Sequence, residues 1–277
     1  MIFKKILFER KSNLVIVLSV SILTLFVFLM QSNLKESSTS CSSIQLKPNI
    51  NSNFDVSKFK SQNIQDFVEF GKKSDKIFKQ HYETIYGNLL GPLREKEINF
   101  LEIGLGCTMK QWFKDYPPGL SLELWRRYLP IANISILEYD RVCALEFKNK
   151  VENLFIGDQS NLTFLNSIGE NYGPFDFIVD DGCHTRTCQI NSLVGFWPHL
   201  RSQGIFIMED IYLNRPKAVT EEDKKKSSLD LIFQILLLFN EPTLSSYDIP
   251  IEKSARDIAI SLESIHCYRR VCAFVKM

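Results

Sequence analysis

The sequence lacks an excess of charge of either sign. It carries 33 Lys and Arg residues against 32 Asp and Glu residues, which leaves a net charge of +1. Without a visible cluster of basic residues, this balance provides no positive field for gripping a phosphate backbone, which argues against a general nucleic-acid binder. The chain does not lack apolar residues. They make up 45% of it, enough to build a core, which argues against an intrinsically disordered protein.

Two common motifs are also missing. None of the seven cysteines belongs to a CxxC pair, so a structural zinc site is not expected. Six of them lie in the region predicted to fold. They could form disulfides, as in an oxidising compartment, or remain buried thiols. The sequence does not reveal which cysteines would pair. There is no GxGxxG loop, which argues against an NAD-linked dehydrogenase.

A long apolar run is present near the N-terminus. Residues 14–30 are all apolar or Ser/Thr, and the preceding residues 1–13 carry four clustered bases. The length is at the short limit for a membrane span, and the bases place the N-terminal tail in the cytosol. A cleaved signal peptide is the alternative, but no A-x-A site follows the run. We therefore expect a transmembrane signal-anchor and a type II membrane protein of the endoplasmic reticulum or Golgi, with its catalytic domain in the lumen.

The rest of the chain predicts a stalk and one α/β domain. Residues 31–63 are polar and predict a flexible stalk, and 64–277 predict the folded domain. Apolar residues at helical spacing run from 64 to Gly91-Pro92, which should end a helix. A further apolar stretch, 228–239, is too short for a second span and predicts a core or lid helix.

Seven short β-rich runs alternate with helical stretches, at 98–105, 134–139, 154–158, 175–181, 204–210, 258–265 and 271–276. Continuous apolar runs are typical of parallel strands that are buried on both faces, and the last two runs are close enough to form a hairpin. The prediction is a Rossmann-like domain with a seven-stranded, mostly parallel sheet and a C-terminal antiparallel hairpin.

In such sheets, ligands bind at the carboxyl ends of the strands. The first predicted strand ends in Glu102-Ile103-Gly104-Leu105-Gly106, where two glycines permit a sharp turn and a close approach to a ligand. Alone, this motif could be an ordinary turn.

The next two strand ends also carry acids. Glu138 ends the second strand, where its carboxylate could accept hydrogen bonds from both hydroxyls of a ribose. Asp158 and Gln159 close the third strand, and Asp158 is placed to receive an adenine amino group. Each acid alone could be solvated, but three successive strand ends with acids favour a cofactor site.

The fourth and fifth strand ends carry four carboxylates, those of Asp180, Asp181, Glu209 and Asp210. Neighbouring strands lie about 5 Å apart, so these acids need protons or a cation to coexist. Mg²⁺ is the simplest neutraliser, although Asp180 and Glu209 could instead face solvent or cap a helix. His184 lies three residues after Asp181, where it is suited to act as a general base.

At these residues the sequence resembles the macrocin O-methyltransferases, bacterial Mg²⁺-dependent enzymes that methylate a sugar hydroxyl on macrolide antibiotics. The matching runs are LEIGLG, SLELWRRYLP, ILEYD, GDQSN, GPFDFIVDDGCHT, FWPHLRSQGIFIMEDIY and SDKIFKQHYETIY, which cover roughly residues 70–215. The resemblance implies the fold of class I S-adenosylmethionine-dependent methyltransferases.

It also implies roles for individual residues. Asp181 and Asp210, with Glu209 near them, would bind the metal, and His184 would be the catalytic base. The residues expected to hold the methyl donor are Glu102, Gly104, Gly106, Glu138, Asp158, Gln159 and Asp180. Three features differ from the family: Cys183 stands where Ser is usual, the region after Arg215 diverges, and the soluble bacterial enzymes have no anchor.

The prediction is therefore an S-adenosylmethionine-dependent, Mg²⁺-assisted O-methyltransferase that acts on the hydroxyl of a sugar, a glycan or another small molecule. The alternative is a non-catalytic, membrane-anchored relative that uses the fold as a binding or scaffold module. No nucleic-acid partner is expected, and a homo-oligomer is left open.

Overall fold

The structure is a computed structural model, and it describes residues 61–109, 115–212, 227–242 and 252–277. The predicted tail 1–13, the anchor 14–30 and residues 31–60 of the predicted stalk lie outside these ranges, so membrane anchoring stays a prediction. The end of the predicted stalk differs from the structure, because Ser61 caps a helix that begins at Gln62. Among the helices of the described ranges, none combines the length and the apolar character that crossing a membrane requires.

The described strands form one mixed sheet. They are β1 (Asn99–Ile103), β2 (Asn133–Glu138), β3 (Asn153–Ile156), β4 (Phe175–Asp180), β5 (Leu200–Met208), β6 (Leu262–Tyr268) and β7 (Val271–Lys276), in the order β3-β2-β1-β4-β5-β7-β6. The first five are parallel, and β7 runs antiparallel to both β5 and β6. The predicted seven-stranded sheet with its C-terminal hairpin is confirmed.

Helices cover both faces of the sheet. They are α1 (Gln62–Gly71), α2 (Asp75–Phe78), α3 (Glu83–Leu90), α4 (Leu120–Tyr128), α5 (Arg141–Leu145), α6 (Leu162–Tyr172), α7 (Arg186–Phe196), α8 (Ser228–Asn240) and α9 (Lys253–Ala259). Successive β1 residues contribute to different cores, since Leu101 lies in one cluster with α6 to α9 and Phe100 in another with α1, α3 and α4. Burial on both faces explains the continuous apolar runs in the sequence.

Two predicted elements differ from the structure. The helix expected between residue 64 and Gly91 is divided into α1, α2 and α3, because Ser74 caps a new helix and His81 adopts a left-handed conformation with φ 60°. The strand expected at 258–265 begins only at Leu262, because Ile258 and Ala259 belong to α9 and are buried there as helical residues.

The described cysteines form three disulfides, and this settles the connectivity that the sequence left open. Cys107 pairs with Cys143, Cys183 with Cys188, and Cys267 with Cys272. The first joins the loop after β1 to α5, and the third joins directly opposite residues of β6 and β7. The second joins the loop after β4 to α7.

Candidate active site

A cavity of about 840 Å³ opens at the carboxyl ends of the parallel strands, beside the point where β1 and β4 separate the two halves of the sheet. Eight of the predicted site residues line it: Gly104, Gly106, Glu138, Asp158, Gln159, Asp181, His184 and Asp210. The other three, Glu102, Asp180 and Glu209, are buried and are not among the lining residues.

The loop after β1 is shaped by its two glycines. Gly104 and Gly106 have φ of +98° and +72°, a region that side-chain-bearing residues rarely adopt. A Cβ on Gly104 would lie only 2.4 Å from the carbonyl oxygen of Asp181. Gly104 is therefore required both by the turn and by the close approach of the loop that follows β4. The absence of a side chain at Gly104 allows Asp181 to lie close to the end of β1.

Glu138 is held by the backbone. Its Oε2 accepts a hydrogen bond of 2.8 Å from the amide of Leu105, and its Oε1 accepts bonds from the amides of Tyr139 (2.8 Å) and Asp140 (2.9 Å). A carboxylate has about four acceptor positions, so one is left for a ligand. The two-hydroxyl contact predicted for this residue is reduced to a single acceptor position in this arrangement.

Gln159 connects the third and fourth strand ends. Its Nε2 donates to Asp180 Oδ1 at 2.6 Å and to Ser192 Oγ at 2.8 Å, and its Oε1 accepts from the amide of Cys183 at 2.9 Å. Burial raises the pKa of Asp180 to about 7. Asp180 thus lies behind the loop, where it supports Gln159, and not in the cavity where a contact with the methyl donor was expected.

Asp158 lies at the rim of the cavity. Its Oδ1 accepts from the amide of Ser160 at 2.7 Å, which closes a short turn after β3. Its side chain is exposed, so the remaining acceptor positions are accessible to a ligand.

A buried lysine lies among the acids, which the sequence did not predict. The Nζ of Lys76 is 2.7 Å from Asp181 Oδ2, 2.8 Å from Glu209 Oε1 and 3.8 Å from Glu102 Oε1. Burial alone would lower its pKa, but Asp181 and Glu209 outweigh that effect and raise the pKa well above its usual range. Lys76 is therefore charged at neutral pH and neutralises part of the cluster.

Glu209 and Glu102 lie on the inner side of this cluster. Glu209 accepts from Lys76 and from the hydroxyl of Tyr86, and burial raises its pKa to about 7. Glu102 accepts from Ser121 Oγ at 3.0 Å, and burial raises its pKa as well. Neither is among the residues that line the cavity. The metal contact of Glu209 and the donor contact of Glu102 therefore stay predictions.

Asp181, His184 and Asp210 face one another at the cavity. His184 Nε2 is 3.7 Å from Asp181 Oδ1 and 3.9 Å from Asp210 Oδ2. The hydroxyl of Tyr82 donates to Asp210 Oδ1 at 3.0 Å, and that of Tyr212 donates to Oδ2 at 3.2 Å. Burial and the neighbouring charge of Glu209 raise the pKa of Asp181, which Lys76 opposes.

The backbone at two of these residues is strained. His184 and Asp210 have φ of 56° and 51°, in the left-handed region that non-glycine residues seldom occupy. Such conformations cost of order 1–3 kcal/mol each and persist where surrounding contacts hold them. Here Thr185 caps α7, and the Cys183–Cys188 disulfide links the loop to that helix.

The oxygen donors suit a hard divalent cation. Within the described ranges, no group of three or more His, Cys, Asp or Glu side chains is arranged to hold a metal ion. Asp181 and Asp210 nevertheless bring two carboxylates to the cavity. Mg²⁺ is usually bound through one or two carboxylates and keeps several waters. The pair Asp181 and Asp210 therefore suits Mg²⁺ better than it suits a metal ion whose ligands must all come from the protein.

Most of the site residues that sequence reasoning missed lie in one segment of the chain. Lys76, Tyr82 and Tyr86 come from the segment before β1, and Tyr212 follows β5. Periodicity places Tyr82 and Tyr86 among the apolar positions of a helix, and the four residues of α2 are too few to show a period. The one signal in the sequence was that Lys76 stands among residues predicted to be buried, where a lysine needs acidic partners.

The chain is related in sequence to sugar O-methyltransferases of antibiotic biosynthesis, as its motifs predicted. It is 31% identical over 145 residues to L-olivosyl-oleandolide 3-O-methyltransferase of Streptomyces antibioticus, which covers 50% of this chain and 35% of that protein. It is 28% identical over 136 residues to demethylmacrocin O-methyltransferase of Streptomyces fradiae, which covers 49% and 32%. The matches thus span about a third of these relatives' own length. No protein-family model matches the chain.

A solved structure shares the fold. MycE methyltransferase of the mycinamycin biosynthetic pathway, solved with Mg and SAH, superposes with a TM-score of 0.60 at 22% identity and covers 78% of this chain and 55% of its own. The same protein with Mg, SAH and mycinamycin VI gives a TM-score of 0.59. The predicted methyltransferase fold is confirmed.

Proposed function

We propose that this chain, a relative of the sugar O-methyltransferases with the same fold, is an S-adenosylmethionine-dependent O-methyltransferase that methylates a hydroxyl of a sugar or another small molecule. The observation that carries the proposal is the placement of His184 between Asp181 and Asp210 in the cavity that the Gly104–Gly106 turn also lines. The related enzymes act on glycosylated macrolides and tetracenomycins by name, which favours a glycosidic acceptor here.

The methyl donor would occupy the part of the cavity around the first three strand ends. The free acceptor position of Glu138 would bind one ribose hydroxyl, and Asp158 would receive the adenine amino group. The Gly104–Gly106 turn leaves room for the amino-acid end of the donor. A cavity of about 840 Å³ can hold a donor and part of an acceptor together, since single-ligand pockets begin at about 300 Å³.

The acceptor would bind at the other end, near Tyr212. His184 Nε2 would take the proton of the acceptor hydroxyl, and the carboxylates of Asp181 and Asp210, at 3.7 and 3.9 Å, would stabilise the charged form of the ring electrostatically. Bound to the two aspartates, Mg²⁺ would supply positive charge that lowers the pKa of that hydroxyl. The hydroxyl oxygen forms a bond to the methyl carbon, the carbon–sulfur bond breaks, and its electron pair stays on sulfur.

Membrane anchoring and a lumenal catalytic domain are part of the proposal. They rest on the run 14–30 and its flanking bases, and the three disulfides are compatible with an oxidising compartment. Protease protection of sealed microsomes would test them: the lumenal orientation predicts that 64–277 resists digestion until detergent is added.

The function is tested by methyl transfer. The full chain is incubated with methyl-labelled S-adenosylmethionine, Mg²⁺ and a panel of glycosides, and label on the glycosides is measured. His184→Gln should lower transfer by about 10²–10⁴-fold while it leaves donor binding intact, because a general base is lost. His266→Gln is the matched control, since His266 is exposed on β6 away from the cavity.

Full transfer by His184→Gln would contradict the assigned base. Donor binding without transfer to any glycoside would favour the non-catalytic binding module.

A further inference from the structure

One part of the cavity wall comes from the segment before β1. Asp75, the first residue of α2, lines the cavity together with Tyr116, which precedes α4. The hydroxyl of Tyr116 donates to Asp75 Oδ1 at 2.9 Å and lies 3.4 Å from the amide of Asp75, from which it accepts. A Cβ on Gly106 would lie 3.6 Å from Cε1 of Tyr116, so the tyrosine ring is next to the turn after β1. These contacts place Asp75 near the Gly104–Gly106 turn.

The charge of Asp75 is not matched by a cation of the described residues. None of their Lys, Arg or His side chains forms an ion pair with Asp75, although its neighbour Lys76 forms three with other acids. Tyr116 is also the one described residue that donates to the carboxylate of Asp75. Asp75 is half-buried, and a carboxylate that is partly removed from water is stabilised by a positive partner. Asp75 is therefore suited to a cationic group of a ligand.

The other acids near this turn are engaged or buried. Glu138 accepts from three backbone amides, and Oδ2 of Asp181 binds Lys76. Glu102 is fully buried and does not line the cavity. A carboxylate has about four acceptor positions, so Asp75 offers a ligand more of them than Glu138 does.

We propose that Asp75, oriented by Tyr116, binds the α-ammonium group of the methyl donor and makes the site selective for ligands with an amino-acid end. This inference rests on the proposed function, in which the donor's amino-acid end lies at the Gly104–Gly106 turn. An ammonium group has three N–H donors, and its hydrogen bonds to a carboxylate are charge-assisted. Asp75 is thus a binding residue for the donor, and Tyr116 is a positioning residue that acts through it.

The test is calorimetric titration of two thioether ligands into the full chain. S-adenosylhomocysteine carries the amino-acid end and has no charge on sulfur, whereas 5′-methylthioadenosine lacks the amino-acid end. Asp75→Asn keeps the size of the side chain, and the amide oxygen that it introduces can still accept from Tyr116. We expect this variant to bind S-adenosylhomocysteine about tenfold or more weakly, because a charge-assisted hydrogen bond is lost, and 5′-methylthioadenosine within about twofold of the wild type.

A third ligand separates the two charges of the amino-acid end. Decarboxylated S-adenosylhomocysteine keeps the ammonium group and lacks the carboxylate, so Asp75→Asn should weaken its binding by a similar factor. Tyr116→Phe removes the hydroxyl that orients Asp75, and it should weaken S-adenosylhomocysteine about threefold while it leaves 5′-methylthioadenosine unchanged. Glu123→Gln is the matched control, since Glu123 is exposed on α4 and does not line the cavity. It should bind all three ligands as the wild type does.

Two results would overturn the inference. Unchanged binding of S-adenosylhomocysteine by Asp75→Asn would show that the ammonium group binds elsewhere. An equal loss of affinity for S-adenosylhomocysteine and 5′-methylthioadenosine would show that Asp75 only maintains the shape of the cavity. If Asp75→Asn does not fold, the same two outcomes in Tyr116→Phe decide the question. Failure of the proposed function is a different result, because the folded wild-type chain would then bind none of the three ligands.

Discussion

Gly104→Ala is expected to destabilise the protein by an amount that can be worked out from the structure. An L-residue at φ +98° costs about 1–2 kcal/mol. The new Cβ would stand 2.4 Å from the carbonyl oxygen of Asp181, whereas ordinary contacts are 3.4–4 Å, so the two loops must separate by roughly 1 Å. That movement stretches the 3.0 Å hydrogen bond from the Asp181 amide to the Ile103 carbonyl, which is worth about 1 kcal/mol.

The sum is about 2–3 kcal/mol, or a fall in Tm of roughly 4–12 °C for a domain of this size. Gly106→Ala is the matched control. It has a similar φ of +72°, but its Cβ would meet only side chains, the nearest being the flexible one of Met109 at 3.3 Å. It should therefore lose only the conformational part, about 1–2 kcal/mol.

Thermal unfolding of both variants beside the wild type measures the difference. Equal losses of Tm in the two variants would refute the conclusion that the β4 loop is pressed against Gly104, and with it the account of how Asp181 is placed.

Two further predictions concern stability. Cys107→Ser/Cys143→Ser should lose about 4 kcal/mol from chain-entropy effects, because the bond closes a loop with a sequence separation of 36; an unchanged Tm would show that this bond does not form. Asp180 has a folded-state pKa of about 7 against an ordinary 3.8, so its contribution is fully present below pH 3.8 and is lost as the pH rises through 7. Asp180→Asn should therefore reduce the difference in urea stability between pH 5 and pH 8, and an unaltered difference would contradict the burial of this carboxyl.

The fold was predictable because strands that are buried on both faces of a sheet have continuous apolar sequences. The runs around Phe100, Ile136 and Ile178 are apolar without alternation, as expected of central parallel strands. The break at His81 was not predictable, since a left-handed histidine leaves no periodic signal.

The site was predictable where it depends on strand ends. Asp181 follows β4 directly and Asp210 lies two residues after the end of β5, so the parallel pairing of these strands brings them together. Neighbouring residues of a strand end point to opposite sides, but the sequence does not say which of Asp180 and Asp181 faces the cavity.

Contacts between distant segments were not predictable. Lys76 is separated from Asp181 by 105 residues and from Glu209 by 133. Nor could the sequence show that three backbone amides would occupy most of the carboxylate of Glu138.

The most direct test of the account is calorimetric titration of S-adenosylmethionine into the full chain in the presence of Mg²⁺, with Asp158→Ala as the comparison. The account predicts saturable one-to-one binding that is weakened by the substitution. A folded wild-type protein that shows no heat of binding and no shift in Tm with the donor would contradict the proposal that this cavity is a methyltransferase site.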